Sequence, residues 1–264
     1  MVYLMRITVL GGSAAWPAAG QACSGFLVEH RGFRLVMDLG HAVLPKLLEL
    51  MTPDRVDAVL VSHGHPDHCA DLNPLLRARL LDETPLTGLP VYTPRGELDA
   101  VLALDRPGLL DDAYDLREFE PGERFPLGPF DLTTRRLPHS RPSAGFRLNS
   151  DGYTLVYTGD TGPHPYIAEL ARDADLLIAE ATYPEQVPWD VVFELSSALE
   201  AGENAAKARA DRLVLTHLWP GSDPLRFVDA ARQFYDGEIS IAESGLVIDL
   251  ADPLLEPPPA GHRR

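Results

Sequence analysis

An α/β fold, with mixed sheet covered by helices on its outer faces, is what this chain of 264 residues predicts, on three observations. Strand patterns with hairpin turns lead the chain, and strand and helix patterns alternate later. The stretch VSHGHPDHC, residues 61–69, follows directly on the apolar run 56–61 and packs three histidines and one aspartate into six positions. Further histidines and an aspartate then follow later apolar runs one by one, as expected where a sheet presents side chains to a shared cleft.

Taken in order, residues 4–10 and 25–29 read as strands separated by a loop of Gly, Ser, Ala and Pro. Gly11-Gly12 is not a phosphate loop, because no Gly-Lys-Ser follows. Residues 33–39 form a third strand ending in MDLG, and 42–51 have helical spacing that closes before Pro53. Strand 56–61 carries the histidine-rich loop at its carboxyl end. Helix is predicted over 73–81, a short strand over 89–93 and a second helix over 97–104. The Pro-, Gly- and Asp-rich stretch 106–129 predicts connecting segments. Strands resume at 130–136, 144–148 and 153–157, with Asp151-Gly152 as a hairpin turn. Helix 165–172, strand 176–179, helix 197–208, strand 212–216, helix 224–235 and two short strands complete the pattern. One domain is expected over 1–251, followed by a disordered, Pro-rich tail over 252–264.

Composition narrows the function classes. A 45% hydrophobic content is ample for one sizeable core. The formal net charge of −16 argues against a partner held by many phosphate contacts, so long RNA or DNA is not expected as substrate. A small anion stays compatible, because divalent metals would make the local field positive. Cys23 and Cys69 lack disulfide-like spacing and predict free buried thiols in a reducing compartment. Cys69 is read as packing rather than as a soft ligand. The amino-terminal apolar stretch alternates and runs into Gly-Gly-Ser without a basic leader, which reads as a strand rather than a signal peptide. No apolar run approaches the roughly 18 residues needed to cross a bilayer, so a soluble, cytoplasmic protein is expected.

His63, His65, Asp67 and His68 predict a metal site. A strand end fixes the backbone, Gly64 permits a sharp turn and Pro66 stiffens it, so several imidazoles can converge at small ordering cost. Imidazole with carboxylate favours zinc or a similar divalent ion, with manganese or iron as alternatives. A site for two ions needs further ligands. His139 in LPHSRP, Asp160 in YTGDTG and His217 in LVLTHLWP each stand just beyond an apolar strand. Each alone has an ordinary structural reading; the repetition makes them candidates.

The set SHGHPDH, PHS, TGD and LTH resembles the metallo-beta-lactamase fold superfamily over residues 6–250. The opening TVLGGS, MDLG, the IAEAT segment at 178–182 and RLVLTHL resemble the ribonuclease Z related branch. EAG around Glu200 followed by RLVLTHL is most similar to short actinobacterial atypical class II cyclic nucleotide phosphodiesterases. That resemblance implies a four-layer αββα sandwich and a homodimer. It implies that His63, His65 and His139 hold one metal, that Asp67, His68 and His217 hold the other, and that Asp160 bridges them. It further implies that Asp38 orients a ligand histidine, its other reading being a plain turn aspartate, and that Glu180 has a similar outer role. Expected chemistry is cleavage of a P–O ester bond in a small substrate such as a cyclic nucleotide, with Asp67 and Asp160 positioning the nucleophile.

Two departures stand out. Relatives carry a histidine before the EAG helix, in a His-Leu-Ser or His-Leu-Thr segment, that protonates the leaving oxygen; this chain has Phe193-Glu194-Leu195-Ser196-Ser197. Glu194 is the candidate replacement acid, its other reading being an ordinary loop carboxylate. His41 and His164 rank below it. Bacterial transfer-RNA processing enzymes also carry a long arm between the positions of His139 and Asp160, where only 20 residues intervene here. The missing histidine keeps open a hydrolase of a carboxylic ester, lactone or thioester, and a catalytically silent metal-binding protein is the third reading. Tyr183 and Trp189 are read as core or lid packing, with base stacking as the other use.

Overall fold

A strand covered on both faces needs apolar side chains at consecutive positions, and this chain supplies such strands in two groups. The computed structural model describes residues 4–250, so the tail expected over 252–264 lies outside the described residues. The first group is β1 (Met5–Ser13), β2 (Ala22–Cys23), β3 (Gly25–His30), β4 (Phe33–Met37), β5 (Ala58–Leu60), β6 (Leu89–Pro94) and β7 (Tyr114–Phe119). The second is β8 (Arg124–Leu127), β9 (Phe130–Leu137), β10 (Ser143–Ser150), β11 (Tyr153–Tyr157), β12 (Leu176–Glu180), β13 (Arg212–Thr216) and β14 (Glu238–Ile241). A last strand, β15 (Val247–Leu250), returns to pair antiparallel with β1. The sheet orders are β15-β1-β3-β4-β5-β6-β7, with β2 beside β1, and β14-β13-β12-β11-β10-β9-β8. Both mix antiparallel hairpins with parallel pairs, as the strand patterning predicts.

The two sheets face each other across one core. Phe26, Val28, Leu35, Met37 and Leu60 of the first meet Phe146, Leu155, Tyr157 and Ile178 of the second. Alternate residues point outward: Leu27, Val36 and Val59 pack under helices on one side, Val156, Leu177 and Leu215 under helices on the other. Those helices are α1 (Val43–Leu48), α2 (Pro66–Cys69), α3 (Leu72–Leu80) and α4 (Asp99–Leu102) over the first sheet. Over the second lie α5 (Pro165–Leu170), α6 (Ala198–Ala208) and α7 (Pro224–Ala231). The result is the four-layer αββα sandwich. α6 starts on a capping box in which Ser197 and Glu200 satisfy each other's backbone N–H. Among the described residues no helix is long and apolar enough to cross a membrane.

Three expectations are corrected. The stretch 106–129 is not only connection: it holds β7 and β8 at the edges of the two sheets. β7 is largely solvent-facing and charged and β8 contains Pro126, a combination that edge strands tolerate and that hides the apolar alternation. The helix expected over 97–104 shortens to Asp99–Leu102, which leaves Glu97 in the preceding loop. Trp189 is neither core nor buried, being 87% exposed.

Candidate metal centre

Polarity of the strands decides where the polar residues gather. β4 and β5 run parallel, as do β11, β12 and β13. β9 pairs antiparallel with β10, which pairs antiparallel with β11, so β9 points the same way as β11. The carboxyl ends of β5, β9, β11 and β13 therefore deliver, respectively, the 63–68 loop with α2, His139, Asp160 and His217. Two groups of ligand atoms result: His63, His65, His139 and Asp160 in one, and Asp67, His68, Asp160 and His217 in the other, each within 4.8 Å. All seven candidates from the sequence are brought together, and Asp160 belongs to both groups.

Hydrogen bonds set which nitrogen of each imidazole faces inward. His68 Nδ1–H donates to Asp38 Oδ2 at 2.7 Å, and His139 Nδ1–H donates to the Glu194 carbonyl at 2.9 Å. Ser62 Oγ donates to Asp38 Oδ2 at 2.7 Å, so it accepts from His63 Nδ1–H at 3.1 Å. Thr182 Oγ1 donates to Glu180 and therefore accepts from His217 Nδ1–H at 2.8 Å. Four imidazoles are thus fixed as the tautomer whose Nε2 carries a lone pair towards the cluster. His65 presents Nδ1 instead, 3.0 Å from both His63 Nε2 and His139 Nε2.

These donors fit divalent ions. His68 Nε2 and Asp160 Oδ1 are buried, stand 3.1 Å apart and have no hydrogen-bond partner, a cost that a cation between lone pairs removes. His217 Nε2 lies 3.2 Å from both Asp67 Oδ2 and Asp160 Oδ2. Burial alone would raise both carboxyls; His217 and His68 outweigh it and hold Asp67 and Asp160 below the usual range. Burial, with His68 adding, pushes His63 below the ordinary imidazole value. For His68, burial pulls down, but Asp160 and Asp38 outweigh it and raise the imidazole. Asp67 and Asp160 thus stand as carboxylates among the imidazoles, and against the pull of burial Asp160 and Asp67 in turn raise His217 above its ordinary value. Nitrogen and oxygen donors in this mixture suit zinc, manganese or iron.

The outer contacts are as specific. Asp38 is fully buried, with φ of 55°, and its two oxygens accept from Ser62 N, Ser62 Oγ, Tyr157 OH and His68 Nδ1. That arrangement supports an orienting aspartate over a plain turn residue. Glu180 accepts from Thr182 N, Thr182 Oγ1 and Ser196 N; burial raises its carboxyl, and these donors favour the ionised form. Ala15 N donates to Asp67 Oδ2 at 2.8 Å. His217 has φ of 63°, a conformation uncommon outside glycine that the surrounding contacts must maintain. Glu194 contributes its main-chain carbonyl, and its side chain is half-buried. His164 caps α5 through Nδ1, and His41 is half-buried beside α1.

Glu97, 5% exposed, was not visible in the sequence as a site residue. Its Oε2 accepts from Gly64 N at 2.7 Å and Arg141 Nε at 2.8 Å, so one carboxylate ties the 63–68 loop to the segment after His139. Gly64 is not in the left-handed region, so its role is close approach rather than the sharp turn expected: a Cβ there would stand 2.1 Å from the Glu97 carbonyl oxygen. Gly64→Ala is expected to cost about 2–3 kcal/mol by overpacking, read as a lower midpoint in urea unfolding of chelated protein. An unchanged midpoint would count against that contact.

The free thiols of Cys23 and Cys69 are buried, and burial pushes both up to about 12. A raised thiol stays protonated at every pH below that value, so neither should react with iodoacetamide at pH 8 in the native state, and both should after denaturation. Alkylation of the native chain within minutes would contradict this.

The sequence profile of the beta-lactamase superfamily domain matches residues 32–218. The chain belongs to the metallo-beta-lactamase fold superfamily. A probable metallo-hydrolase of Bacillus subtilis, YhfI, is 33% identical over 249 residues, covering 92% of this chain and 99% of that protein. The crystal structure of YhfI superposes with a TM-score of 0.85 at 31% identity, covering 94% of this chain and 100% of that one. Within the superfamily the chain falls in the ribonuclease Z-like branch. Ribonuclease Z of Haloferax volcanii is 26% identical, covering 93% of this chain and 95% of that protein. Human tRNase Z, short form, superposes with a TM-score of 0.73 at 25% identity, covering 92% and 98%.

Proposed function

We propose that this chain is a metal-dependent hydrolase that cleaves a small anionic phosphodiester, of which a cyclic nucleotide is the nearest model compound. The observation that carries the reading is Asp160, shared by two sets of ligand atoms whose tautomers are set for metal binding. Two divalent ions, zinc foremost, would be held by His63, His65, His139 and Asp160 and by Asp67, His68, Asp160 and His217; when bound they supply Lewis acidity to phosphoryl oxygens and lower the pKa of water. The relatives named ribonuclease Z support phosphodiester chemistry, while the charge of −16 and the short 140–159 segment favour a small substrate over a long RNA.

The chain's own contribution is geometric and electrostatic. Asp67 and Asp160 accept hydrogen bonds and orient the attacking water. Asp38 and the Thr182–Glu180 pair hold His68 and His217 in one tautomer and rotamer, so no reorganisation is needed as charge develops. Glu194 is the candidate donor to the leaving oxygen. Hydrolysis of a carboxylic ester or lactone is the second reading, favoured by Phe193-Glu194 standing where an imidazole donor is expected.

The test is hydrolysis of 3′,5′-cyclic AMP and bis(p-nitrophenyl) phosphate by zinc- and manganese-loaded protein, with Glu194→Gln alongside. Activity on both, with the variant slowed about 100-fold on cyclic AMP only, supports the phosphodiesterase and the acid. An unchanged variant removes Glu194 from the mechanism. Inactivity on both phosphodiesters with p-nitrophenyl acetate or a lactone turned over would replace the first reading with the second.

A further inference from the structure

Three aromatic side chains from distant segments stand together beside the second ligand set. Trp16 follows Ala15, whose N–H touches Asp67. Trp219 is two residues past His217, and Tyr183 follows Thr182, whose hydroxyl holds His217. The ring centroids of Trp16 and Trp219 are 5.2 Å apart, and those of Tyr183 and Trp219 are 6.4 Å apart, edge to face. The backbone makes this placement rigid. Ala14 N donates to Leu218 O, and Leu218 N donates to Gly12 O, so the loop bearing Trp16 is stitched to the segment bearing Trp219. Tyr183 N donates to Ser196 O and Tyr183 O accepts from Ala198 N, which closes the base of the loop over 184–195. That loop carries Phe193, 78% exposed, next to the Glu194 carbonyl that holds His139.

Trp16 itself is 51% exposed, so this cluster gives up part of the burial that would justify an aromatic group on packing grounds. Exposed aromatic surface gathered in one place marks a binding site. Arg141, near His139, commits its Nε to Glu97. A group that brings its own planar surface would gain contact here while its anionic end sits among the ligand residues.

Resting on the phosphodiesterase reading, we propose that Trp16, Trp219 and Tyr183 form a stacking wall that selects substrates carrying a planar aromatic group next to the scissile phosphoryl group. The wall explains why the Trp16 loop is anchored on Asp67 and the His217 segment rather than left free: the stacking face and the ligand atoms keep a fixed spacing.

Binding of two non-hydrolysable anions to the zinc-loaded protein tests this without turnover. By calorimetry, phenylphosphonate should bind at least tenfold more tightly than methylphosphonate. Trp16→Ala and Trp219→Ala should each erase most of that preference while methylphosphonate affinity and zinc content stay unchanged, and Trp16→Phe should restore it. In kinetics, the same alanine variants should raise KM for bis(p-nitrophenyl) phosphate about tenfold with kcat within twofold. Equal affinity for the two phosphonates, including no binding of either, overturns the wall. So does a variant that loses both anions equally or that changes the mass of the protein in solution, which would assign the patch to a second copy. A phenyl preference in a protein that hydrolyses no phosphodiester would keep the wall and reject the reaction.

Discussion

Replacing Asp160 with alanine is expected to abolish turnover and to lower metal content in the same step. The side chain is 2% exposed and belongs to both ligand groups, with Oδ1 3.1 Å from His68 Nε2 and Oδ2 3.2 Å from His217 Nε2 and 3.8 Å from His63 Nε2. Without it, buried imidazole lone pairs from both groups face one another with no shared anion between them. Residues that act as a unit lose nearly the whole catalytic effect when one member goes, so kcat/KM on bis(p-nitrophenyl) phosphate should fall on the order of 10⁴-fold. Elemental analysis after desalting should show fewer ions per chain than in the parent. A variant that keeps two ions and full activity would remove Asp160 from the bridging position.

The second large effect is expected at Asp38, and it separates folding from metal binding. Asp38→Ala leaves four buried donors without an acceptor and places alanine at φ of 55°. The expected cost is about 3–5 kcal/mol, seen as a large drop in Tm. Asp38→Asn keeps the shape and tolerates the left-handed backbone, but it replaces one acceptor oxygen with a donor NH₂. The fold should survive, and metal affinity should weaken about 10–100-fold in competition with a chromogenic chelator. Unchanged affinity in the asparagine variant would reduce Asp38 to a structural residue.

How far the sequence reached can be seen from these same residues. The five imidazoles and two carboxylates that the structure gathers were legible because each is chemically unusual at the end of an apolar strand, and strand ends of one polarity share one edge. Asp38 and Glu180 were legible by position for the same reason. The other groups that fix or support the tautomers were not. Ser62, Thr182 and Tyr157 look like ordinary strand-end residues, and Tyr157 reaches Asp38 across 119 positions. Glu97 was hidden twice, inside an expected helix and 33 positions from the glycine it holds. β7 and β8 escaped because edge strands carry charge and proline where central strands carry alternating apolar residues. Trp189 escaped because aromatic residues are read as core until a structure shows them exposed.

The two ligand groups draw on both sheets, and this gives a bound ion a second effect. Asp67 and His217 lie 150 positions apart and on opposite halves of the sandwich. An ion held between them is a cross-link, closing a loop of that length in the manner of a covalent bridge. Like such a bridge, it would oppose separation of the halves, and release of the ion would require them to part. Metal exchange should then be slow and steeply temperature-dependent, following the rate at which the halves come apart rather than the intrinsic lability of nitrogen and oxygen ligands.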